Sequence, residues 1–193
     1  MGGYYRNKIG AISDKVVLYV GQIIHRKGID ILLRAFKNVE AELYIVGGSI
    51  TAELQQFIHE ENLKIVHFVD FLSKKELVTY FRAADIFVLP TREDIWGLVI
   101  NEAMNYMLPV ITTDRCLAGM KLIIDGNEGY IVPTEDIDVL YHRIKKLLND
   151  RDAAYHMGIN ARKKIKNYTI ENMTIRHVDI FTRLVKRKRD DIR

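Results

Sequence analysis

Short apolar runs rich in Val, Ile and Tyr recur along the chain, and segments with helical spacing of apolar residues separate them. Such runs are typical of buried strands. Six are predicted as strands, at residues 16–21, 42–47, 64–69, 85–90, 109–113 and 129–133. Between them, apolar residues recur at intervals of three and four, as at Ile29, Leu32, Leu33 and Phe36. From residue 135 onward the pattern is entirely helical.

Regular alternation of strands and helices predicts an α/β fold, with a Rossmann-like, doubly wound parallel sheet of about six strands, helices on both faces and a helical C-terminus. At 193 residues the chain fits a single domain, residues 1–193. In such sheets ligands bind beyond the carboxyl ends of the strands. A ligand-binding site is therefore expected in the loops that follow the strands.

Composition limits the possible ligands and locations of the protein only modestly. The 29 basic and 25 acidic residues give a net charge of +4, which suits an anionic ligand but does not indicate nucleic acid. Cys116 is the only cysteine, so no intramolecular disulfide can form, and a cytoplasmic location is expected. No apolar run approaches the roughly 20 residues of a membrane span. The charged tail, residues 183–193, predicts a solvated helix end, with contact to a membrane surface or a partner as the alternative.

The loop after the first strand, GQIIHRKG at residues 21–28, has features that suit a phosphate group. Gly21 frees the strand end, Arg26 and Lys27 supply charge, and a helix N-terminus follows. A turn with surface cations is the alternative, since the segment matches neither the P-loop nor GxGxxG. The paired glycines of VGGS, residues 46–49, either admit a ligand close to the backbone or simply end the second strand.

The segment TREDIWGLVINEAM, residues 91–104, follows the fourth strand and predicts a helix that begins about Gly97. The free N–H groups of that helix would hold an anion above the sheet. A carboxylate at Glu102, in the second turn, would repel phosphate, so a functional Glu102 must meet a donor such as a ribose diol. Asp94, in the loop, could likewise accept hydrogen bonds from a sugar. The alternative is that Glu102 is only a helix-surface residue.

Three motifs carry a resemblance to a known family. They are VGQIIHRKGIDILLRAF, ADIFVLPTREDIWGLVINEAM and DGNEGYIVP, which match, in order and spacing, VGR-xxxx-KG-xxx-LL-xAF, ADxxxxPSxxExFGLVxxEAM and DGxNGxLVP. The chain resembles the C-terminal, nucleotide-sugar-binding half of retaining GT-B glycosyltransferases of family four. The resemblance spans residue 16 to the final helices.

The resemblance implies a role for each residue that matches the family's motifs. Asp94 and Glu102 take the positions of the family's acid pair at the catalytic centre, with Glu102 on the ribose hydroxyls and Asp94 on the donor sugar. The backbone of Gly97, Leu98 and Val99 would hold the distal phosphate, and Lys27 the diphosphate. The remaining candidate donor-binding residues are Gly21, Gln22, Arg26, Gly47 and Phe71.

Two residues depart from the family's pattern. The family's phosphate-binding Arg is Gln22 here, which cannot neutralise charge or make a bidentate contact. Arg26, in the same loop, is a candidate replacement. Asp94 stands where the family has Glu and is shorter by one methylene, about 1.5 Å of reach.

The resemblance also implies what surrounds this domain. A complete enzyme has an N-terminal acceptor-binding domain, and only about 15 residues precede the first strand here. The expectation is a domain that binds a UDP-, GDP- or ADP-hexose but does not itself transfer the hexose, in polysaccharide or glycolipid biosynthesis. No metal or cofactor is expected. Exposed apolar residues of the last helix, such as Phe181 and Leu184, are expected to contact the missing domain.

Two other classes of protein remain open on the sequence. A non-catalytic nucleotide-sugar sensor or inactive subunit would have the same fold and would account for Gln22. A response-regulator-like domain shares the alternating pattern but places paired acids at the end of the first strand, where this chain has Gly21 and Gln22.

Overall fold

The computed structural model describes residues 2–190, and over these residues strands and helices alternate as predicted. The strands are β1 (Val16–Val20), β2 (Glu42–Val46), β3 (Val66–Val69), β4 (Ile86–Leu89), β5 (Val110–Thr113) and β6 (Gly129–Val132). The helices are α1 (Gly2–Ile9), α2 (Ile29–Phe36), α3 (Ala52–Glu60), α4 (Lys74–Ala83), α5 (Leu98–Asn105), α6 (Leu117–Leu122), α7 (Ile137–Asn149), α8 (Arg151–Ile165) and α9 (Ile170–Asp190). All six predicted strands are confirmed.

The six strands form one parallel sheet in the order β3-β2-β1-β4-β5-β6. Strand order reverses between β1 and β4, where Val17 pairs with Ile86 and Leu18 with Phe87. Right-handed crossovers place the helices that lead toward β3 and those that lead toward β6 on opposite faces. The fold is therefore the doubly wound one predicted, and its switch point lies between β1 and β4.

The sheet is covered on both faces, which explains why its central strands read as continuous apolar runs. Tyr19 on β1, Phe87 on β4 and Phe36 on α2 are among the largest fully buried side chains. Helix α2 packs against α7, and Phe81 of α4 stacks on Tyr106 just beyond α5, with ring centroids 5.1 Å apart.

Side-chain caps fix the starts of several helices. A capping box starts α4: the Ser73 N–H donates to Glu76 Oε2 at 2.9 Å, and the Glu76 N–H donates to Ser73 Oγ at 3.4 Å. Asp136 caps α7 and Asp150 caps α8. These acids act structurally, so they are separate from the acids of the candidate site.

Helix α1 was not predicted, because its polar sequence lacks an apolar stripe. It is held by Arg6, whose guanidinium donates to the Ala83 carbonyl at 3.1 Å and to Asp85 Oδ1 at 2.5 Å. Burial raises the pKa of Asp85 although Arg6 and the Val16 N–H oppose it. The polar contacts of α1 thus dock the segment that leads into β1 on the rest of the domain.

Helix α9 leaves large apolar side chains exposed, each more than half accessible. They are Ile170, Met173, Ile175, Val178, Ile180, Phe181, Leu184 and Val185. The charged tail predicted at residues 183–193 is helical as far as Asp190, and residues 191–193 lie outside the described part. Within residues 2–190, no helix combines the length and the apolar character needed to cross a membrane.

Candidate functional site

The candidate site lies at the carboxyl edge of the sheet, at the switch point between β1 and β4. Because β1 and β4 are paired, the loop after β1 and the loop after β4 lie side by side. These loops, 21–28 and 90–97, are the two whose sequences suggested phosphate and sugar binding. Crevices at switch points are where doubly wound folds bind ligands.

The loop after β1 ends in a 3₁₀ turn, His25–Lys27, followed by Gly28. Gly28 has φ 70° and ψ 28°, in the left-handed region. A Cβ at this position would lie 2.0 Å from the Pro90 carbonyl oxygen, so only glycine allows the two loops to approach so closely. The turn that contains Lys27 is therefore held directly against the end of β4.

Hydrogen bonds join the same two loops. The Arg26 carbonyl accepts from the Arg92 N–H at 2.8 Å and from the Thr91 hydroxyl at 3.0 Å. In return, the exposed Arg26 guanidinium donates to the Glu93 carbonyl at 2.8 Å. The relative position of the two loops is thus fixed before any ligand binds.

Lys27 and Asp94 form an ion pair across these loops, between Nζ and Oδ2. Their side chains are only 14% and 11% exposed. The sequence assigned them separately, Lys27 to a diphosphate and Asp94 to a sugar, and the structure brings them into contact. The crevice therefore holds a largely buried ammonium whose charge is neutralised by a carboxylate of the site itself.

The loop that carries Asp94 is also tied to the loop after β5. The Asp94 N–H donates to the Arg115 carbonyl at 3.0 Å, and the Leu117 N–H donates to the Asp94 carbonyl at 3.1 Å. The Ala118 N–H donates to the Trp96 carbonyl at 2.9 Å. Bound on both sides, the loop is organised in advance for a ligand.

Gly97 ends that loop and precedes α5, close to the predicted start of the helix. Its φ of 83° and ψ of 59° are left-handed, and a Cβ there would lie 3.0 Å from Cys116 Sγ. The same point is 3.6 Å from Asp94 Oδ2, so the carboxylate lies close to the start of the helix. The first N–H groups of an α-helix lack intrahelical partners and attract anions.

The glycines after β1 and β2 lie on the adjoining side of the crevice. The Gly21 N–H donates to the Val46 carbonyl at 2.9 Å, which places the two strand ends next to each other. Gln22 is exposed, and its carbonyl accepts from the Tyr19 hydroxyl at 3.0 Å. Burial raises the pKa of that Tyr19 hydroxyl. Gly47 follows Val46 directly and is buried.

Phe71, in the loop after β3, is 71% exposed although it is a large apolar side chain. A Cβ at Gly48 would lie 3.3 Å from its ring, so the ring covers this glycine. An exposed aromatic ring at the carboxyl edge offers a flat surface for stacking.

Glu102 is exposed in α5 and lines a groove of about 1430 Å³ that is bordered by α1, α4, α5, α7 and α8. Lys74 and Leu77 of α4 line the same groove, which none of the other predicted donor-binding residues lines. Glu102 is thus on the helix whose N-terminus faces the crevice, but its side chain belongs to the neighbouring groove.

Arg92 is the part of the site that the sequence did not indicate. Its guanidinium donates to both carboxylate oxygens of Asp30, at 2.9 and 2.8 Å, to the His25 carbonyl at 2.6 Å, and to Glu135 Oε1 at 2.6 Å. Hydrogen bonding from Arg92 lowers the pKa of Asp30, and Asp30 in turn raises that of Arg92. The only signal in the sequence was a cation two residues before Asp94.

The residues that the structure describes show no group of three or more His, Cys, Asp or Glu side chains placed to hold a metal ion. The chemistry that this arrangement offers is recognition of anions and hydroxyl groups: an ammonium, a helix N-terminus, the Asp94 carboxylate and an aromatic ring, with the Glu102 carboxylate in the neighbouring groove.

Comparison with known proteins agrees with this architecture. The chain is 29% identical over 165 residues to the capsular polysaccharide biosynthesis glycosyltransferase CapM of Staphylococcus aureus, a match that covers 81% of this chain and 43% of CapM. Sucrose-phosphate synthase from Thermosynechococcus elongatus superposes with a TM-score of 0.85 at 28% identity, over 95% of this chain and 49% of that chain.

A third comparison is with an isolated domain of the same fold. The chain superposes on the C-terminal domain of a glycosyl transferase group 1 family protein, LpcC from Francisella tularensis, with a TM-score of 0.79 at 21% identity, over 86% of this chain and 92% of that one. The chain spans about half the length of the full-length relatives it matches. The model of the glycosyl transferases group 1 family matches residues 5–164, and the chain therefore belongs to this family.

Proposed function

We propose that this domain binds the nucleoside diphosphate sugar donor of a glycosyltransferase. The observation that carries the proposal is the largely buried Lys27–Asp94 pair, which lies near the start of α5 at the switch point of the sheet. A buried cation that already has a partner, next to a helix N-terminus, can exchange that partner for a phosphate group without leaving an unpaired charge.

In this proposal the diphosphate lies between the loops after β1 and β4. The Lys27 ammonium and the N–H groups of Gly97, Leu98 and Val99 hold its distal phosphate. Gly21, Gln22 and Arg26 belong to the facing loop. Gln22 supplies an amide where the family has an arginine, so most of the positive charge must come from Lys27 and the helix dipole.

The nucleoside would extend toward α4. Glu102 accepts hydrogen bonds from the ribose hydroxyls, because its exposed carboxylate lies in the groove lined by Lys74 and Leu77. The base would lie near Phe71 and Gly47, where an exposed ring and a buried backbone glycine border the crevice. Backbone contacts of this kind suit uracil, guanine and adenine alike, so UDP, GDP and ADP all have to be tested.

Asp94 would recognise the donor hexose. Once Lys27 turns to the diphosphate, the Asp94 carboxylate is free to accept hydrogen bonds from sugar hydroxyls. The loop is tied to its neighbours by backbone hydrogen bonds, so Asp94 keeps its position during this exchange. Because the Asp94 side chain is shorter than that of glutamate, the sugar must lie closer to the loop than it would if this residue were glutamate.

The reaction of the complete enzyme would be transfer of a hexose to a hydroxyl acceptor with retention at the anomeric carbon. As the bond between the sugar and the phosphate breaks, negative charge develops on the leaving diphosphate. Lys27 and the N–H groups at the start of α5 then bind more strongly than in the ground state, which lowers the barrier. Asp94 and Glu102 act in recognition and do not transfer protons; the acceptor hydroxyl would give its proton to the oxygen of the leaving diphosphate as the new glycosidic bond forms.

We further propose that a second domain supplies the acceptor site, since the relatives are about twice as long. Helix α9 presents Phe181 and Leu184 in an exposed apolar face that fits such a contact. On this basis the isolated chain binds donor but does not transfer sugar. CapM, a relative named for capsular polysaccharide biosynthesis, makes a polysaccharide or glycolipid the acceptor class to test first.

Gln22 supports one alternative function, a non-catalytic subunit or sensor that binds nucleotide sugars. Without the arginine, the domain would still bind a donor. It would stabilise the charge that develops on the leaving diphosphate too weakly for turnover. Adding a complementary acceptor domain separates the two functions. Transfer would establish the enzyme, and binding without transfer would establish the sensor.

The donor site is tested by calorimetric titration of the chain with UDP, GDP and ADP and with their hexose conjugates. We expect at least one diphosphate to bind with a Kd well below about 1 mM, equivalent to more than about 4 kcal/mol of binding free energy. Glu102→Ala should weaken that binding about 10-fold, the equivalent of one charge-assisted hydrogen bond.

Glu40→Ala is the matched control, because Glu40 is an exposed acid in the turn between α2 and β2, at the opposite edge of the sheet. It should bind the same diphosphate as the unmodified chain does. Absence of binding by all three diphosphates, or equal effects of the two substitutions, would show that the donor site is assigned wrongly.

A further inference from the structure

Arg92 lies next to the candidate donor site, but its own contacts leave it little capacity for a ligand. Its Nε, Nη1 and Nη2 all donate to protein acceptors, on Asp30, His25 and Glu135. Its side chain is 17% exposed and faces two carboxylates. A guanidinium neutralised in this way is poorly suited to capture a phosphate itself.

The acceptors of Arg92 lie on both sides of the turn that carries Lys27. The His25 carbonyl is at the start of the His25–Lys27 turn, and Asp30 is in the first turn of α2. Neither Ile24, which precedes that 3₁₀ turn, nor Gly28, which precedes α2, provides a side-chain cap. The backbone of Arg92 also binds the Arg26 carbonyl within the turn. Arg92 therefore binds two residues that precede Lys27, His25 and Arg26, and one that follows it, Asp30.

The same residue is close in sequence to the partner of Lys27. Asp94 follows Arg92 by two residues, and it pairs with Lys27. The grip of Arg92 on the turn and the contact of Asp94 with Lys27 thus arise from one short loop. If the grip is lost, the turn is free to move relative to that loop, and the ammonium moves with it.

We propose that Arg92 is a positioning residue that presents the Lys27 ammonium to the diphosphate of the donor. This rests on the donor site proposed above. Only arginine suits the role, because its planar group donates several hydrogen bonds in fixed directions. A lysine at this position could neutralise Asp30 but could not bind both carboxylate oxygens and the His25 carbonyl together.

The experiment compares Arg92→Gln and Arg92→Lys with the unmodified chain, using whichever diphosphate binds and the matching nucleoside monophosphate. We expect Arg92→Gln to weaken diphosphate binding about 10-fold, with a clearly smaller effect on the monophosphate, because Lys27 acts on the distal phosphate. Arg92→Lys should fall closer to Gln than to the unmodified chain. Arg176→Gln, an exposed arginine on α9, is the matched control and should change neither affinity.

A double-mutant cycle shows whether Arg92 acts through Lys27. In a Lys27→Met background, Arg92→Gln should cost less than a further twofold in diphosphate affinity. Additive losses in the cycle, or equal losses for diphosphate and monophosphate, would assign Arg92 a general structural role and overturn the proposal.

A measurement without ligand separates this proposal from the donor site. Lysines labelled by reductive ¹³C-methylation give NMR signals, and the Lys27 signal is assigned by its loss in Lys27→Arg. Arg92→Gln should shift it in the same direction as Asp94→Asn, since both break the Lys27–Asp94 pair. An unmoved signal overturns the positioning role even if the diphosphate binds. A shifted signal with no diphosphate bound by the unmodified chain leaves the positioning of Lys27 intact and overturns the proposed ligand.

Discussion

Lys27 and Asp94 are 67 residues apart in the chain and form an ion pair at the carboxyl edge of the sheet. Both side chains are largely buried, so neither charge is well solvated. The Lys27 ammonium is thus held in place, and the Asp94 carboxylate neutralises its charge. If the proposed donor binds here, it must replace Asp94 at Lys27, and the same step frees Asp94 for another contact.

Substitution of Asp94 by asparagine tests this exchange. The amide no longer holds Lys27 as a counterion, so the bare nucleoside diphosphate should bind at least as tightly as to the unmodified chain. The extra affinity contributed by an attached hexose should fall about 10-fold, because a charge-assisted hydrogen bond to a sugar hydroxyl is lost. Calorimetry with matched diphosphate and diphosphate-hexose pairs measures both quantities.

The outcome distinguishes two roles of Asp94. If the diphosphate and its hexose conjugate change in affinity by the same factor, Asp94 is only the counterion of Lys27 and does not touch the sugar. Glu93→Gln is the control, since Glu93 is the exposed acid beside Asp94. Glu93→Gln should change the affinity for neither the diphosphate nor its hexose conjugate.

Glu102 is expected to recognise the ribose through both hydroxyls. A 2′-deoxyribonucleoside diphosphate should therefore bind more weakly than the ribonucleoside diphosphate to the unmodified chain, by roughly fivefold to 10-fold, as one lost hydrogen bond predicts. In Glu102→Ala the two ligands should bind nearly equally. Persistent discrimination in Glu102→Ala would move ribose recognition to another residue.

Gly97 provides a test of the start of α5 with a matched partner elsewhere in the chain. Gly97 and Gly126 have nearly the same φ, 83° and 82°, but only Gly97 is crowded, with Cys116 Sγ 3.0 Å from a Cβ. Gly126→Ala should cost about 1–2 kcal/mol of folding free energy, the ordinary penalty for a left-handed alanine. Gly97→Ala should cost more, because the neighbouring sulfur must also move.

The same pair of variants separates stability from binding. Gly126→Ala should leave nucleoside diphosphate affinity unchanged, whereas Gly97→Ala should reduce it, since the N–H groups at the helix start are displaced. Thermal unfolding and calorimetry measure the two effects independently. Equal affinities in the two variants would remove the start of α5 from the donor site.

Much of the fold could be predicted because local patterns determine it. The central strands β1, β2, β4 and β5 are buried on both faces, so each reads as a largely apolar run in the sequence. The start of α5 followed from Pro90, which ends the strand, and from Gly97, which precedes the helical pattern. These signals lie within a few residues of the element that they define.

The contacts that organise the site could not be predicted in this way. Arg92 binds Asp30 and Glu135, which are 62 and 43 residues away, and nothing in their local sequence indicates a partner. Their meeting depends on β1 lying next to β4 and on how three loops pack. Lys27 and Asp94 were likewise each identified as ligand contacts, but their pairing requires the register of the two strands.

Glu42 is buried at the start of β2, and through it the stability of the fold depends on pH. Its Oε1 accepts from the Ile12 and Ser13 N–H groups, at 2.6 and 2.5 Å, and its Oε2 accepts from the Tyr44 hydroxyl at 3.1 Å. Burial by itself would raise the pKa of Glu42, but these hydrogen bonds to the ionised form outweigh it and lower the pKa from 4.5. The carboxylate therefore stabilises the fold by tying down the segment before β1.

A group whose pKa is lower in the folded state adds stability above its unfolded pKa and loses it as the pH falls. We expect Glu42→Gln to reduce the free energy of unfolding by about 1–3 kcal/mol at pH 7, because the amide offers one acceptor where the carboxylate offers two. The difference from the unmodified chain should shrink below about pH 4.5. Denaturant unfolding from pH 7 to pH 3 measures it.

His67 must be controlled in this experiment, because its Nε2 lies 2.8 Å from Glu42 Oε2, without the alignment of a hydrogen bond. Any contribution of this contact to stability would be included in the effect of Glu42→Gln. Repeating the comparison in a His67→Gln background removes this contribution. A stability difference that stays constant from pH 7 to pH 3 in that background would mean that the ionised form of Glu42 does not hold residues 12 and 13 in place.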